Sequence, residues 1–191
     1  MDFSALTISA GVVALAEMGD KTQLLSFMLA ARYPRHSLAI IAGILLATLV
    51  NHAVAAFFGH WLTSLVSPEI LKWILGISFI GIGLWLLVPD HLDDVKGSAV
   101  ADRALQVFLL TTGLFFLAEM GDKTQVATIA LGAKYPDLIS VTLGTTLGMM
   151  IANAPAVWVG QKFTQRISLR WVHGIAALSF VVIGIATLIW A

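Results

Sequence analysis

Apolar residues in this 191-residue chain fall into six long runs, and most of the charged residues lie in the gaps between them. The runs span Phe3–Ala31, Leu38–Leu62, Leu71–Val88, Ala104–Ala133, Leu138–Gly160 and Val172–Trp190. A helix rises about 1.5 Å per residue, so about 20 apolar residues cross a hydrocarbon core of about 30 Å. Each run is therefore expected to be a transmembrane helix, giving an all-α integral membrane protein with six spans. Most gaps are short and hold turn formers: Arg32-Tyr33-Pro34-Arg35, Ser67-Pro68-Glu69 and Lys134-Tyr135-Pro136-Asp137. A long polar connection lies in the centre, residues 89–103, carrying Asp90, His91, Asp93, Asp94, Lys96 and Asp102. It reads as an acidic linker between residues 1–88 and 104–191.

These two halves repeat one another. The nine residues LAEMGDKTQ run from Leu15 to Gln23 and again from Leu117 to Gln125, 102 positions later. At the same offset Tyr33-Pro34 matches Tyr135-Pro136, and Asn51 matches Asn153. Leu71-Lys72-Trp73 also resembles Leu169-Arg170-Trp171 at a slightly shorter offset. A repeated three-helix unit sets the architecture. Three is odd, so the second half must enter the membrane from the opposite side. The repeats are then inverted, related by a pseudo-two-fold axis in the membrane plane.

Charge fixes an orientation. Arg32, Arg35, Lys96, Arg103, Lys162, Arg166 and Arg170 gather on one side, while Lys72 and Lys134 lie on the other. Basic loops stay in the cytoplasm, which places the linker there and both termini outside. Met1-Asp2-Phe3 carries no positive lead, so the first run is expected to be a retained helix and not a cleaved signal peptide.

Composition agrees and removes other classes. The chain is 59% hydrophobic and 12% charged, against about 25% charged in soluble domains. Eleven basic and eleven acidic residues cancel, so no nucleic-acid footprint exists. No basic run suggests a peripheral protein held by anionic lipid; the lipid bilayer itself is the expected surrounding. Cysteine is absent, which excludes disulfides and thiolate metal sites.

The chemistry sits where charge is most costly. Glu17, Asp20 and Lys21 fall near the centre of the first run, and Glu119, Asp122 and Lys123 near the centre of the fourth. A charge at the bilayer centre costs about 2.5–3.5 kcal/mol on insertion scales and marks a pathway or site. On a continuous helix the spacing places Glu17, Asp20 and Lys21 on one face, and their repeats likewise. Gly19 and Gly121 permit close helix approach or a local break. Thr22, Gln23, Thr124 and Gln125 add neutral oxygens, and Asn51 and Asn153 are either further ligands or interhelical hydrogen-bonding residues. Four carboxylates against two ammoniums leave a formal charge of −2, which one divalent cation neutralises. Oxygen donors without thiolate suit hard ions such as Mn²⁺, Ca²⁺ or Mg²⁺. A purely structural role as helix glue would call for equal numbers of acids and bases. His52 has Ala154 as its counterpart, which argues against a symmetric ligand, and His60, His91 and His173 lie near helix ends or in the linker. Trp61, Trp73, Trp158, Trp171 and Trp190 fall near run ends and read as interfacial anchors.

The doubled E-x-G-D-K-T motif in two three-helix halves resembles the MneA-type manganese exporters. These belong to a cation/proton exchanger family with Golgi relatives, grouped within the lysine-exporter superfamily. The resemblance covers essentially the whole chain, and neither copy departs from the motif. It implies Mn²⁺ export driven by proton exchange, with Ca²⁺ as a second substrate, and no cofactor apart from the transported ion. The family's functional acids fall on Glu17, Asp20, Glu119 and Asp122, with Lys21, Thr22, Lys123 and Thr124 completing the motifs. The short N-terminus favours a bacterial inner (plasma) membrane protein. Four crowded carboxylates cannot all stay ionised in low dielectric without a cation, so protons and metal compete for one site. Two other readings stand beside this one: export of a basic amino acid or amine, and an intramembrane metal-dependent enzyme. The latter lacks a nucleophile–base constellation.

Overall fold

A computed structural model describes residues 1–88, 103–159 and 169–190. The described residues form eight helices and no strand: α1 (Phe3–Glu17), α2 (Lys21–Arg32), α3 (Ser37–Leu62), α4 (Pro68–Trp85), α5 (Ala104–Glu119), α6 (Lys123–Lys134), α7 (Leu138–Val159) and α8 (Leu169–Trp190). The linker acids and Lys96, together with Lys162 and Arg166, lie outside the described residues, as do the side chains of Arg170, Trp171, His173 and Trp190.

Helices α3, α4 and α7 are each long and apolar enough to cross a bilayer. The first and fourth apolar runs are not single straight helices. α1 and α2 meet at a bend of 72°, and α5 and α6 at 73°. Counting each bent pair as one span gives up to five crossings, with Gly174–Ile189 of α8 a shorter apolar helix.

The bends fall inside EMGDKTQ, which corrects the expectation of one continuous helical face through each motif. Helix α1 stops at Glu17, where Met18 turns extended, and Gly19 takes φ +87°. Helix α5 stops at Glu119, Met120 turns extended, and Gly121 takes φ +74°. Positive φ costs an L-residue roughly 1–2 kcal/mol and glycine almost nothing, so the chain turns there. Asp20 and Asp122 then stand at the N-caps of α2 and α6. The glutamine of each copy closes the turn: Gly19 N–H donates to Gln23 Oε1 (3.0 Å) and Gly121 N–H to Gln125 Oε1 (2.7 Å).

Packing brings the breaks together. Helix α1 lies along α7, α4 along α8, and α3 touches α5, α6 and α7 at the centre of the bundle. Small residues set these distances. A Cβ on Gly43 would sit 2.8 Å from Thr111 Cβ of α5. On Gly59 it would collide with the Ile129 carbonyl of α6, and on Gly132 with the Ala56 carbonyl of α3. Such small-residue contacts are how helices associate in lipid, where no hydrophobic force separates Leu from the acyl chains. Two apolar clusters flank the breaks, one around Phe79, Leu131 and Phe180, the other around Ile40, Ile44 and Phe115. Trp61, Trp73 and Trp158 are exposed, as interfacial anchors are expected to be.

Candidate functional site

Each helix break leaves a buried glutamate as the last residue of the helix before it. Glu17 and Glu119, the last residues of α1 and α5, are both 0% exposed, and Asp122 is 3% exposed. One oxygen from each of these three residues lies within 4.8 Å of the other two. Asp20 is also buried but is not part of this cluster. Its Oδ1 turns back to accept the Lys21 N–H of its own helix at 2.6 Å. Three of the four acids singled out by the motif are thus brought together.

The hydrogen bonds around them leave one oxygen of each carboxylate unsatisfied among the described residues. Thr22 Oγ1 donates to Glu17 Oε2 at 2.5 Å, and Thr124 Oγ1 to Glu119 Oε2 at 2.9 Å. Asn153 Nδ2 donates to the same Glu17 oxygen at 3.3 Å. Glu17 Oε1, Glu119 Oε1 and Asp122 Oδ2 are buried and make no hydrogen bond among the described residues. A buried carboxylate oxygen without a donor is costly, and a hard cation satisfies several at once.

Lys21 crosses to the other motif, its Nζ 2.6 Å from Asp122 Oδ1. Three carboxylates and one ammonium give this cluster a formal charge of −2. Lys123 points elsewhere: its Nζ donates to the Val88 carbonyl at 3.3 Å and lies 5.9 Å from the centre of the Trp85 ring. Trp85 ends α4 and Val88 follows three residues later, a region where free carbonyls and the helix dipole favour a cation.

The two asparagines also part ways. Asn153 reaches Glu17, whereas Asn51 Nδ2 donates to the Phe116 carbonyl of α5 at 3.1 Å. Gln23 Nε2 donates to the Ala152 carbonyl at 2.9 Å, tying α2 to α7. His52 is buried on α3 with neither ring nitrogen hydrogen-bonded among the described residues, and His60 is exposed.

Sequence reasoning passed over two participants. Ser26 Oγ donates to Asn153 Oδ1 at 2.9 Å, and Met149 Sδ accepts from Asn153 Nδ2 at 2.9 Å. Ser26 stands one turn beyond Thr22, as Thr128 stands one turn beyond Thr124, so the polar stripe on α2 and α6 was a usable signal.

The chain matches the family described as "Divalent cation/proton antiporter GDT1" over residues 5–94 and 107–191. It is 46% identical over 185 residues to a Vibrio cholerae protein named "Putative manganese exporter", covering 96% of this chain and 90% of that protein. It is 29% identical over 218 residues to GDT1-like protein 5 of Arabidopsis thaliana, covering 96% of this chain and 94% of the relative. A rice (Oryza sativa subsp. indica) GDT1-like protein 3 is 28% identical over 201 residues, with 93% and 71% covered. No solved structure matches the chain.

Proposed function

The chain belongs to the GDT1 family of divalent cation/proton antiporters, and from that premise we propose that it exports divalent cations in exchange for protons by alternating access. Mn²⁺ is the first candidate substrate, with Ca²⁺ second. The observation that carries this reading is the convergence of buried Glu17, Glu119 and Asp122 within 4.8 Å, at a net charge one divalent ion would cancel. Carboxylate oxygens are hard donors and take Mn²⁺ or Ca²⁺ in preference to soft ions. The same oxygens bind protons, so one site serves both substrates by competition. In this reading Glu17, Glu119 and Asp122 ligate the ion in the state described, and Asp20 replaces one of them in the alternate state. Thr22, Thr124, Gln23, Gln125 and Asn153 orient those ligands, and Asn51 secures α3 against α5.

The architecture that supports exchange is six spans in two inverted three-helix repeats, residues 1–88 and 104–191, joined by a cytoplasmic linker at 89–103. Each bent pair, α1 with α2 and α5 with α6, serves as one span broken at the site. Irregular backbone at membrane depth is tolerated where it lines a protein cavity, and broken helices mark transporter sites. The termini face away from the cytoplasm of a bacterial inner membrane. Nothing in the cluster pairs a nucleophile with a base, which favours transport over catalysis.

The test is Mn²⁺ movement in proteoliposomes under an imposed pH gradient. Wild-type protein moves Mn²⁺ against the proton flow, and Glu17→Gln and Glu119→Gln each abolish it. Wild-type rates in both variants would rule the carboxylate site out.

A further inference from the structure

Lys21 and Lys123 occupy the same place in identical heptapeptides, yet they do different things. Lys123 is 3% exposed, enclosed at the end of α4 against Trp85 and the Val88 carbonyl. The Lys21 side chain is 23% exposed while its partner Asp122 is 3% exposed. Its ammonium therefore holds a buried carboxylate of the cluster while the side chain as a whole stays partly exposed. This is a cation with a way out.

We propose that Lys21 is a tethered competitor for the transported ion, which must displace its ammonium from Asp122 to bind and is ejected when that ammonium returns. The proposal rests on the cation-site reading above and adds a device to it. Ammonium and divalent cation want the same thing from Asp122, a short contact to a carboxylate oxygen. The divalent ion carries twice the charge and also gains Glu17 and Glu119, so it wins when its concentration is sufficient. Lys21 is then pushed along its four-carbon stem toward the open side. When the ion's hold loosens, the ammonium reclaims Asp122, leaving the ion with two carboxylates instead of three. A tether keeps the competitor at high effective concentration throughout. Lys123 has no such role in this conformation, because the same four-carbon stem leads it to the end of α4.

A competitor that occupies the site nine-tenths of the time lowers apparent affinity about tenfold. Mn²⁺ affinity is measured on purified full-length protein through the paramagnetic resonance signal of the free ion, and export in proteoliposomes. Lys21→Gln is expected to bind Mn²⁺ about tenfold tighter and to export it more slowly, with KM and kcat falling together. Lys21→Arg keeps the charge and grips Asp122 with two N–H donors, so it binds Mn²⁺ several-fold more weakly than wild type. Lys123→Gln removes a charge of the same sign that does not contact Glu17, Glu119 or Asp122 in the state described, and it is expected to tighten Mn²⁺ binding clearly less than Lys21→Gln does. Unchanged or weaker binding in Lys21→Gln overturns the proposal, as does unchanged binding in Lys21→Arg. Equal tightening in Lys21→Gln and Lys123→Gln overturns it too, because it would report charge removal alone. Glu119→Gln separates the two levels. If it leaves Mn²⁺ affinity intact, the cation site itself is misplaced; if it removes binding while Lys21→Gln does nothing, only the tethered competitor fails.

Discussion

The same heptapeptide, EMGDKTQ, appears twice in this molecule and builds one local structure but two different halves of a site. What the two copies share is close-range. Both end a helix at Glu, turn through a positive-φ glycine, place Asp at the N-cap position of the next helix, and bond Thr back to Glu. What they do not share is long-range. Asp122 joins the cluster and takes Lys21, while Asp20 accepts its own helix's backbone. Glu17 receives Asn153, while Asn51 goes to a backbone carbonyl. Local backbone chemistry is thus written in the seven residues, and the roles of the side chains are written in what packs against them.

The sharpest way to break this contrast is at the two aspartates. On the proposed site, Asp122→Asn removes a ligand in the state described and Asp20→Asn does not. Asp122→Asn is expected to weaken Mn²⁺ binding by about 100-fold, about 2.7 kcal/mol, and Asp20→Asn by less than about tenfold. Direct binding in detergent checks this; export is a separate readout, since the alternate state calls on Asp20. Equal losses of affinity would mean that the two copies are interchangeable in the resting protein.

The next effect is at the asparagines. Asn153 donates to a carboxylate, and a hydrogen bond to a charged group is worth about 1.5–3 kcal/mol. Asn153→Ala is therefore expected to lower Mn²⁺ affinity by about tenfold. Asn51→Ala removes a bond to Phe116 and should lower thermal stability while leaving affinity within about twofold. Both measurements on both variants give a crossed pattern, and a parallel one would erase the distinction between the halves.

How far the sequence led can be judged on these same residues. The apolar runs are legible because run length is a direct consequence of bilayer thickness, and α3, α4 and α7 appear within a few residues of their expected bounds. The exact repeat of nine residues is plain in the sequence, and it names Glu17, Asp20, Glu119 and Asp122, of which Asp20 lies outside the cluster. The bend was only half legible. Gly19 and Gly121 permit a break, but the spacing of Glu17, Asp20 and Lys21 fits an unbroken helix equally well, and only the positive φ decides. The unequal roles of Lys21 and Lys123 were not legible at all. Identical sequence gives identical expectations, and the deciding neighbours, Trp85 and Val88, lie far along the chain. Ser26 is legible only through its spacing one turn beyond Thr22; its partner Asn153 lies 127 residues along the chain and is not.

The smallest expected effect lies at the loops that follow the two bent pairs. Asp137 caps α7 and ties the chain start to it: its Oδ1 accepts Ser140 N–H at 3.1 Å, and its Oδ2 accepts Ser140 Oγ at 2.8 Å and Asp2 N–H at 2.8 Å. These donors hold its carboxyl down at about 2, below the ordinary 3.8. Hydrogen bonds to the charged form favour that form. The counterpart in the first half is Arg35, which offers no carboxylate. A carboxyl depressed on folding stabilises the protein above its unfolded value and loses that contribution as pH falls through its folded value. The tie is thus complete above about pH 4 and is lost as pH falls toward 2. Asp137→Asn is expected to lower the melting temperature at neutral pH by about 1–2 °C and to flatten its fall between pH 4 and 2. Arg35→Gln leaves the slope in that window as it is in wild type. The measurement is a melting curve in detergent at each pH. A steep acid limb surviving in Asp137→Asn would assign it to other carboxylates, and the two loops would then differ in sequence without differing in their response to acid.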